Sequence, residues 1–267
     1  MKEKIFIKAK STESKRKINI PLPWFHLLGI AAIISVLAAW TIISELRIVK
    51  PIFLPSPIDL YMQFKQVKGD LAYNYLQTFF RMMTGFVLGC SAGILASLIM
   101  GRSRIASVLT NPIIQLLKPI PAIVLAPFAI LWWGVSIKGV FFLIIWGCFF
   151  VMVIDGVEAI KNVPKIYHWA GAALGATKSD IYRKIVLPCI IPSIVGGLRV
   201  SLIAAFNLTI LAEFNIASGG LGALIIKGYQ FLRTDMLFLG IFFVITLALV
   251  VDLSIVIISR KVLKWTG

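Results

Sequence analysis

Apolar residues in this chain fall into long blocks with almost no charge, separated by short polar stretches rich in Lys and Arg. Trp24–Ser44, Met82–Gly101, Pro119–Ser136 and Gly139–Ile154 contain no Asp, Glu, Lys or Arg. Cys189–Ala212 and Met236–Ser259 carry one charge each, Arg199 and Asp252. A bilayer core about 30 Å thick needs about 20 apolar residues wound as helix. The blocks therefore predict an all-α fold, a polytopic membrane helix bundle with six transmembrane spans. The spans are expected near Trp24–Leu46, Tyr75–Gly101, Asn111–Gly134, Lys138–Val157, Pro188–Glu213 and Met236–Ser259.

Finer patterns distinguish the spans. In the second, Gly85, Gly89, Gly93, Ser97 and Gly101 recur every four residues, placing small side chains on one helix face where a neighbouring backbone can approach. The third contains Pro112, Pro119, Pro121 and Pro127, which predict a broken or bent helix near the bundle interior. Trp132 and Trp133 at its end fit an interfacial aromatic belt. Asp59–Tyr73 reads as a short, separate amphipathic helix, and Ser218–Gly222 as a flexible turn.

The chain has 267 residues, is 59% hydrophobic and has a net charge of +16. Lys2, Lys4, Lys8, Lys10, Lys15, Arg16 and Lys17 precede the first span, and Arg102, Arg104, Lys161, Lys165, Lys178, Arg183, Lys184, Arg260, Lys261 and Lys264 fall in every second interval after it. Cytoplasmic loops collect Lys and Arg, so both termini are expected in the cytoplasm, and the charge needs no nucleic acid to explain it. The expected organisation is a basic cytoplasmic segment at 1–23, a transmembrane domain at 24–260 and a basic tail at 261–267. Cys90, Cys148 and Cys189 form neither a disulfide framework nor a zinc spacing, and His26 and His168 are far apart.

One polar stretch stands out, Trp169–Pro188, within a segment at about 158–187. Its GAALGATKS at Gly171–Ser179 falls short of a phosphate-binding loop, because Lys178 is displaced from the second glycine and no strand precedes it. No nucleophile elbow or paired-carboxylate motif is present, so the chain reads as a non-enzyme. Ala170, Ala172, Ala173 and Ala176 favour helix, Thr177, Ser179 and Asp180 are helix-starting residues, and Ile181, Ile185 and Val186 give an apolar face. Two short helices joined at Gly175–Ser179 are expected, with Leu187-Pro188 ending the second and opening the fifth span. By physics alone the segment is either a docking element or an interfacial amphipathic stretch without a partner.

The same stretch resembles the EAA signature, E-A-A-x-x-x-G-x₉-I-x-L-P, of permease subunits of binding-protein-dependent ABC importers. The family's Glu-Ala-Ala falls on Trp169, Ala170 and Gly171, its glycine on Gly175, its isoleucine on Ile185 and its Leu-Pro on Leu187 and Pro188. The departures are Trp169 for Glu and Gly171 for Ala. Leu54–Pro57, Thr78-Phe-Phe-Arg81 with Gly85, Gly89 and Gly93, Leu117–Pro121 running to Leu131–Gly134, and Ala212-Glu213 followed by Gly220–Gly222 are similar to the nitrate/sulfonate/taurine branch, over about residues 24–260. The resemblance implies a type I importer permease in the inner membrane of a prokaryote. It further implies a second permease copy, two cytoplasmic ABC ATPase subunits and an extracytoplasmic substrate-binding protein. Cofactors are expected only in the partner ATPase, which would bind ATP and Mg²⁺. Trp169, Ala170, Gly171, Gly175, Ala176, Ile185, Leu187 and Pro188 would then couple to that ATPase.

Ionisable residues inside a membrane are functional candidates by default. Arg199, Asn207, Thr209 and Glu213 are candidates for a solute pathway, the last three expected to share one face. A stand-alone channel or ion-coupled carrier, using Asp252, Glu213 and Arg199, is the alternative from a different class.

Overall fold

A computed structural model describes the backbone of residues 22–216 and 218–262 and the side chains of 29–216 and 218–257. Residues 1–21 of the basic segment expected at 1–23, and residues 263–267 of the tail expected at 261–267, lie outside these residues. The chain divides into two compact units, Met1–Pro51 and Ile52–Gly267. The first contains α1 (Leu22–Glu45), a 24-residue apolar helix.

The second unit begins with α2 (Pro57–Arg102), 46 residues without a break. The separate helix expected at Asp59–Tyr73 is instead its first four turns. The Ser56 side chain accepts the Asp59 N–H at 3.1 Å while the Asp59 carboxylate accepts the Ser56 N–H at 3.1 Å, a capping box that starts the helix. Pro57 occupies the first turn, where no N–H is needed, and no proline interrupts the helix before Arg102.

The bend expected in the third span is present, but the span starts earlier than Asn111. It consists of α3 (Arg104–Leu117), a 3₁₀ turn (Ala122–Leu125) and α4 (Ala126–Trp133), bent by 84°. Pro119 and Pro121 occupy the break, and Pro127 sits in the first turn of α4.

Next come α5 (Ile137–Lys161), α6 (Lys165–Ala173), α7 (Lys178–Ile181), a π turn (Tyr182–Val186), α8 (Leu187–Asn215), α9 (Leu221–Gln230) and α10 (Thr234–Val262). Leu187-Pro188 does not end the preceding run as expected. Proline at 188 cannot donate to the carbonyl one turn back, and the π turn absorbs that loss so that α7 runs on into α8. Among the described residues, four helices are long and apolar enough to cross a membrane, or five if the bent α3–α4 pair counts as one.

The core sits where α2, α5 and α8 meet. A Cβ on Gly85 would lie 2.6 Å from Ile144, one on Gly89 2.8 Å from Cys148, and one on Gly93 2.7 Å from Met152. At Ser97 the small partner comes from α5, as Gly156, and Gly101 faces Ile160. Contacts climb both helices in the same direction in steps of four, so α2 and α5 run parallel with their backbones nearly touching. Cys90 and Cys148 are buried in this seam, whereas Cys189 is exposed. Replacing Gly89 with Val should cost about 1–3 kcal/mol of stability through overpacking against the Ile145 carbonyl and Cys148. Thermal unfolding of the purified protein in detergent would register this, whereas the same change at Gly69, with open space around it, should be near neutral.

Candidate functional site: a coupling segment and a buried polar network

The stretch 165–188 folds as a helix, a tight turn and a second helix. At the turn, Gly175 donates to the Ala172 carbonyl at 3.0 Å and Ala176 to the Gly171 carbonyl at 3.0 Å. This bond pair is a Schellman cap, and it places Gly175 at φ +78°, where a Cβ would be strained. Thr177 then caps α7 by accepting the Asp180 N–H at 3.2 Å, and Lys184 pairs with Asp180 at 3.0 Å on the exposed surface.

The two arms close on each other at Gly171. It is buried, and a Cβ there would lie 3.0 Å from both Ile181 and Ile185. The isoleucine of the sequence motif thus packs on a residue fourteen positions earlier. Tyr182 Oη donates to the Leu98 carbonyl at 2.8 Å, fastening the segment to the end of α2. Trp169 (65% exposed) and Leu174 (88%) project outward with Ile166 and Tyr167, leaving an apolar surface around the turn. Ala170, Gly175 and Pro188 are also exposed, while Ala176, Ile185 and Leu187 are half-buried.

At the far end of α8 lies a second polar feature. Glu213 is fully buried. Its carboxylate accepts from Arg81 Nη1 at 2.9 Å, from Thr78 Oγ1 at 2.9 Å and from the Gly222 N–H at 3.0 Å. Thr78 Oγ1 in turn accepts the Leu221 N–H at 2.9 Å, Asn74 Oδ1 accepts the Gly220 N–H at 2.7 Å, and Arg81 donates to the Gly219 carbonyl. Gly220 has φ +105°, and a Cβ there would run into the Glu213 carboxylate. The stretch expected to be a flexible turn is therefore pinned at Gly219, Gly220, Leu221 and Gly222, and it opens directly into α9.

This network corrects the expected pathway face. Thr209 and Glu213 are buried together, about 40° apart around α8, but Asn207 is exposed on another side. Spacings of two and six residues carry Asn207 well away from both. Arg199 is also exposed, and no carboxylate lies within 4 Å of it among the described residues. Arg81 and Thr78 were not among the predicted site residues. Both lay in one of the stretches similar to the nitrate/sulfonate/taurine branch and three apart on one helix face, but nothing in the order of the chain paired them with Glu213, 132 positions away from Arg81. Among the described residues, no group of three or more His, Cys, Asp or Glu is placed to hold a metal ion.

Residues 85–264 match the family described as binding-protein-dependent transport system inner membrane component, and the chain belongs to that family. It is a multi-pass membrane protein, the permease of an ABC transporter. A putative ABC transporter permease of Methanocaldococcus jannaschii is 30% identical over 99% of this chain and 97% of that protein. The putative aliphatic sulfonates transport permease of Bacillus subtilis is 29% identical over 91% of this chain and 88% of its own. The taurine transport system permease of Escherichia coli is 24% identical over 98% of each. Among solved structures, a chain of the inward-facing MetNI methionine ABC transporter superposes with a TM-score of 0.61 at 21% identity. The match spans 74% of this chain and 98% of that one, and the likeness is one of fold.

Removing one member of the buried pair should be costly, because it strands the other charge in the core. Arg81→Met and Glu213→Leu are each expected to lose about 3–5 kcal/mol, and the double variant should recover much of that loss. Denaturant titration of the four proteins in detergent decides it; strictly additive losses would mean that the two residues do not act as a pair.

Proposed function

We propose that this chain is the membrane subunit of an ATP-driven importer for a small, polar, anionic solute of the sulfonate, taurine or nitrate kind. It works as one of two permease copies in the inner membrane of a prokaryote, with two ABC ATPase subunits in the cytoplasm and a substrate-binding protein outside. ATP and Mg²⁺ belong to the ATPase, and this chain does no chemistry. In this reading the chain crosses the membrane six times, counting α1 and the bent α3–α4 pair, with both termini in the cytoplasm. Domain bounds of 24–260 for the membrane part and about 158–187 for the coupling segment follow from it.

The observation that carries the reading is the family match over residues 85–264 joined to the exposed apolar turn at Trp169–Ala176. Trp169, Leu174 and the Gly175 turn form the surface that enters the ATPase. The tryptophan adds apolar contact area where the related motif has a carboxylate. Closure of the ATPases on ATP moves this turn, and Gly171 packed on Ile181 and Ile185 passes the motion to α7. Because α7, the π turn and α8 are continuous, the displacement reaches the other end of α8, where Glu213 joins it to α2 and α9. A nucleotide drives such a change only as far as it favours one state over the other. Arg199 and Asn207, both exposed on α8, face the pathway; Thr209 and Glu213 hold the helices together.

The test uses the tagged full-length protein, extracted gently from its own membranes. Native mass spectrometry should find two copies with two ATPase subunits. Gly175→Glu puts a charged side chain at positive φ in the turn, and should abolish both ATPase association and uptake while the permease still folds. Uptake at the wild-type rate in that variant would overturn the coupling role.

A further inference from the structure

Two cavities, one polar and one apolar, adjoin at the end of the bundle where α2, α3 and α5 come together. The polar cavity, about 380 Å³, has Asn111, Gln115 and Lys118 at α3 on one wall and Glu158, Lys161 and Asn162 at the end of α5 on another. The apolar cavity, about 320 Å³, lies between Ile113 and Leu117 of α3, Ala96 of α2, and Phe149 and Phe150 of α5. Met100 and Ile114 belong to the walls of both. The sequence of α3 fits this division. Asn111, Gln115 and Lys118 recur at helical spacing on one face, and Ala106, Thr110, Ile113 and Leu117 on another. The layering also matches a bilayer. The charge-free blocks end at Gly101 on α2 and at Ile154 on α5, and Gly101 faces Ile160, one residue before Lys161. The polar wall therefore stands at the edge of the hydrocarbon, with Phe149 and Phe150 about two turns deeper. Lys118 and Lys161 are exposed, as groups at headgroup level are, and neither has a carboxylate within 4 Å among the described residues. Two lysines against Glu158 leave the polar wall with positive charge in excess.

We propose that the two cavities together hold one anionic phospholipid, its phosphate between Lys118 and Lys161 and one acyl chain passing over Met100 and Ile114 into the apolar cavity. A basic pocket between helices at headgroup depth attracts an anionic lipid, by about fivefold in affinity for each lysine. The side-chain amides of Asn111, Gln115 and Asn162 supply N–H donors for the remaining phosphate oxygens. A monoanionic lipid such as phosphatidylglycerol matches the excess charge, whereas phosphatidylcholine carries its own cation and gains no net attraction. By spanning Lys118 at the end of α3 and Lys161 at the end of α5, the lipid holds the bent α3–α4 pair against the α2–α5 seam. The inference stands on insertion of this chain in a membrane and is independent of the solute and of the ATPase. In the orientation proposed above the site lies in the cytoplasmic leaflet, where anionic lipids gather.

The test uses the full-length permease, with any ATPase that co-purifies, in nanodiscs of equal parts phosphatidylglycerol and phosphatidylcholine. Native mass spectrometry counts the lipids retained on release. Phosphatidylglycerol should be retained over phosphatidylcholine about fivefold or more. Lys118→Gln and Lys161→Gln should each lower that preference about fivefold, and Glu158→Gln, which removes the opposing charge, should raise it by about the same factor. Ala106→Phe fills the apolar cavity and leaves the charges alone. It should weaken retention of dioleoyl-phosphatidylglycerol while sparing the soluble dihexanoyl lipid. Hydrogen exchange along Arg104–Leu117 should be slower in phosphatidylglycerol than in phosphatidylcholine nanodiscs. All four substituted positions are exposed or half-buried, so the variants should fold, which thermal unfolding checks. Equal retention of the two lipids, a preference unmoved by the lysine variants or lowered by Glu158→Gln, or exchange in α3 indifferent to the lipid would overturn the proposal. So would disulfide capture of Gln115→Cys between two copies, which would put the second copy over the polar wall. Absence of the ATPase from these samples would count against the importer reading and leave the lipid site standing.

Discussion

A carboxylate with no exposed surface and a guanidinium nearly as deep hold three helices of this bundle to one another. Bringing such a pair out of water is expensive, and the attraction between the two charges repays the cost only when the remaining hydrogen-bonding capacity is met. Glu213 meets it with a hydroxyl, a guanidinium and a backbone N–H. Those donors come from α2 and from the start of α9, so the requirement to satisfy one carboxylate fixes the positions of two other elements. The loop at Gly219–Gly222 owes its shape to the same requirement. Gly220 must adopt a positive φ and must lack a side chain, because the carboxylate occupies the space where a Cβ would project.

The opposite end of α8 is built on different physics. There the contacts are apolar and close: Gly171 against Ile181 and Ile185, with a Schellman turn between the arms. The turn exposes Leu174 and Trp169 to whatever lies beyond the bundle. Together with Ile166 and Tyr167 these side chains form a contiguous exposed apolar patch at the end of α6, the kind of surface that marks an interaction site. One helix of 29 residues, about 44 Å long at 1.5 Å per residue and relieved at Pro188 by a π turn, links this apolar knob to the polar network. In the proposed importer that helix is the mechanical element, stiff in its middle and specified at each end by a different kind of contact.

Alongside it, α2 and α5 form the part of the bundle least able to deform. Small residues at every fourth position on α2 (glycine at 85, 89, 93 and 101, and Ser97 facing Gly156 of α5) remove the side-chain layer that normally separates helices, so the two helices meet closely at five successive positions. Such packing replaces the hydrophobic drive that is missing between helices in lipid. Motion is therefore expected in α8 and in the bent α3–α4 pair rather than in this seam.

Much of the protein is legible in its sequence. Charge-free blocks gave the helices, because lipid admits few other ways to satisfy a backbone, and the prolines at 119 and 121 gave the break in the third span. The two short helices expected within Trp169–Pro188 were readable for a local reason: Gly175, Thr177 and Asp180 each act on neighbours within a few residues. The sequence could not reveal what depended on distant partners. Whether Asp59–Tyr73 stood apart from the helix that follows hung on the absence of a breaker, a weaker signal than the presence of one. Whether Ser218–Gly222 was loose or pinned hung on Thr78, Asn74 and Arg81, more than 130 residues earlier. Glu213 could be picked out as unusual from its place in an apolar block, but only the tertiary structure decided that it is an anchor, because an ion pair is a relation in space and chain order does not encode which charges will meet.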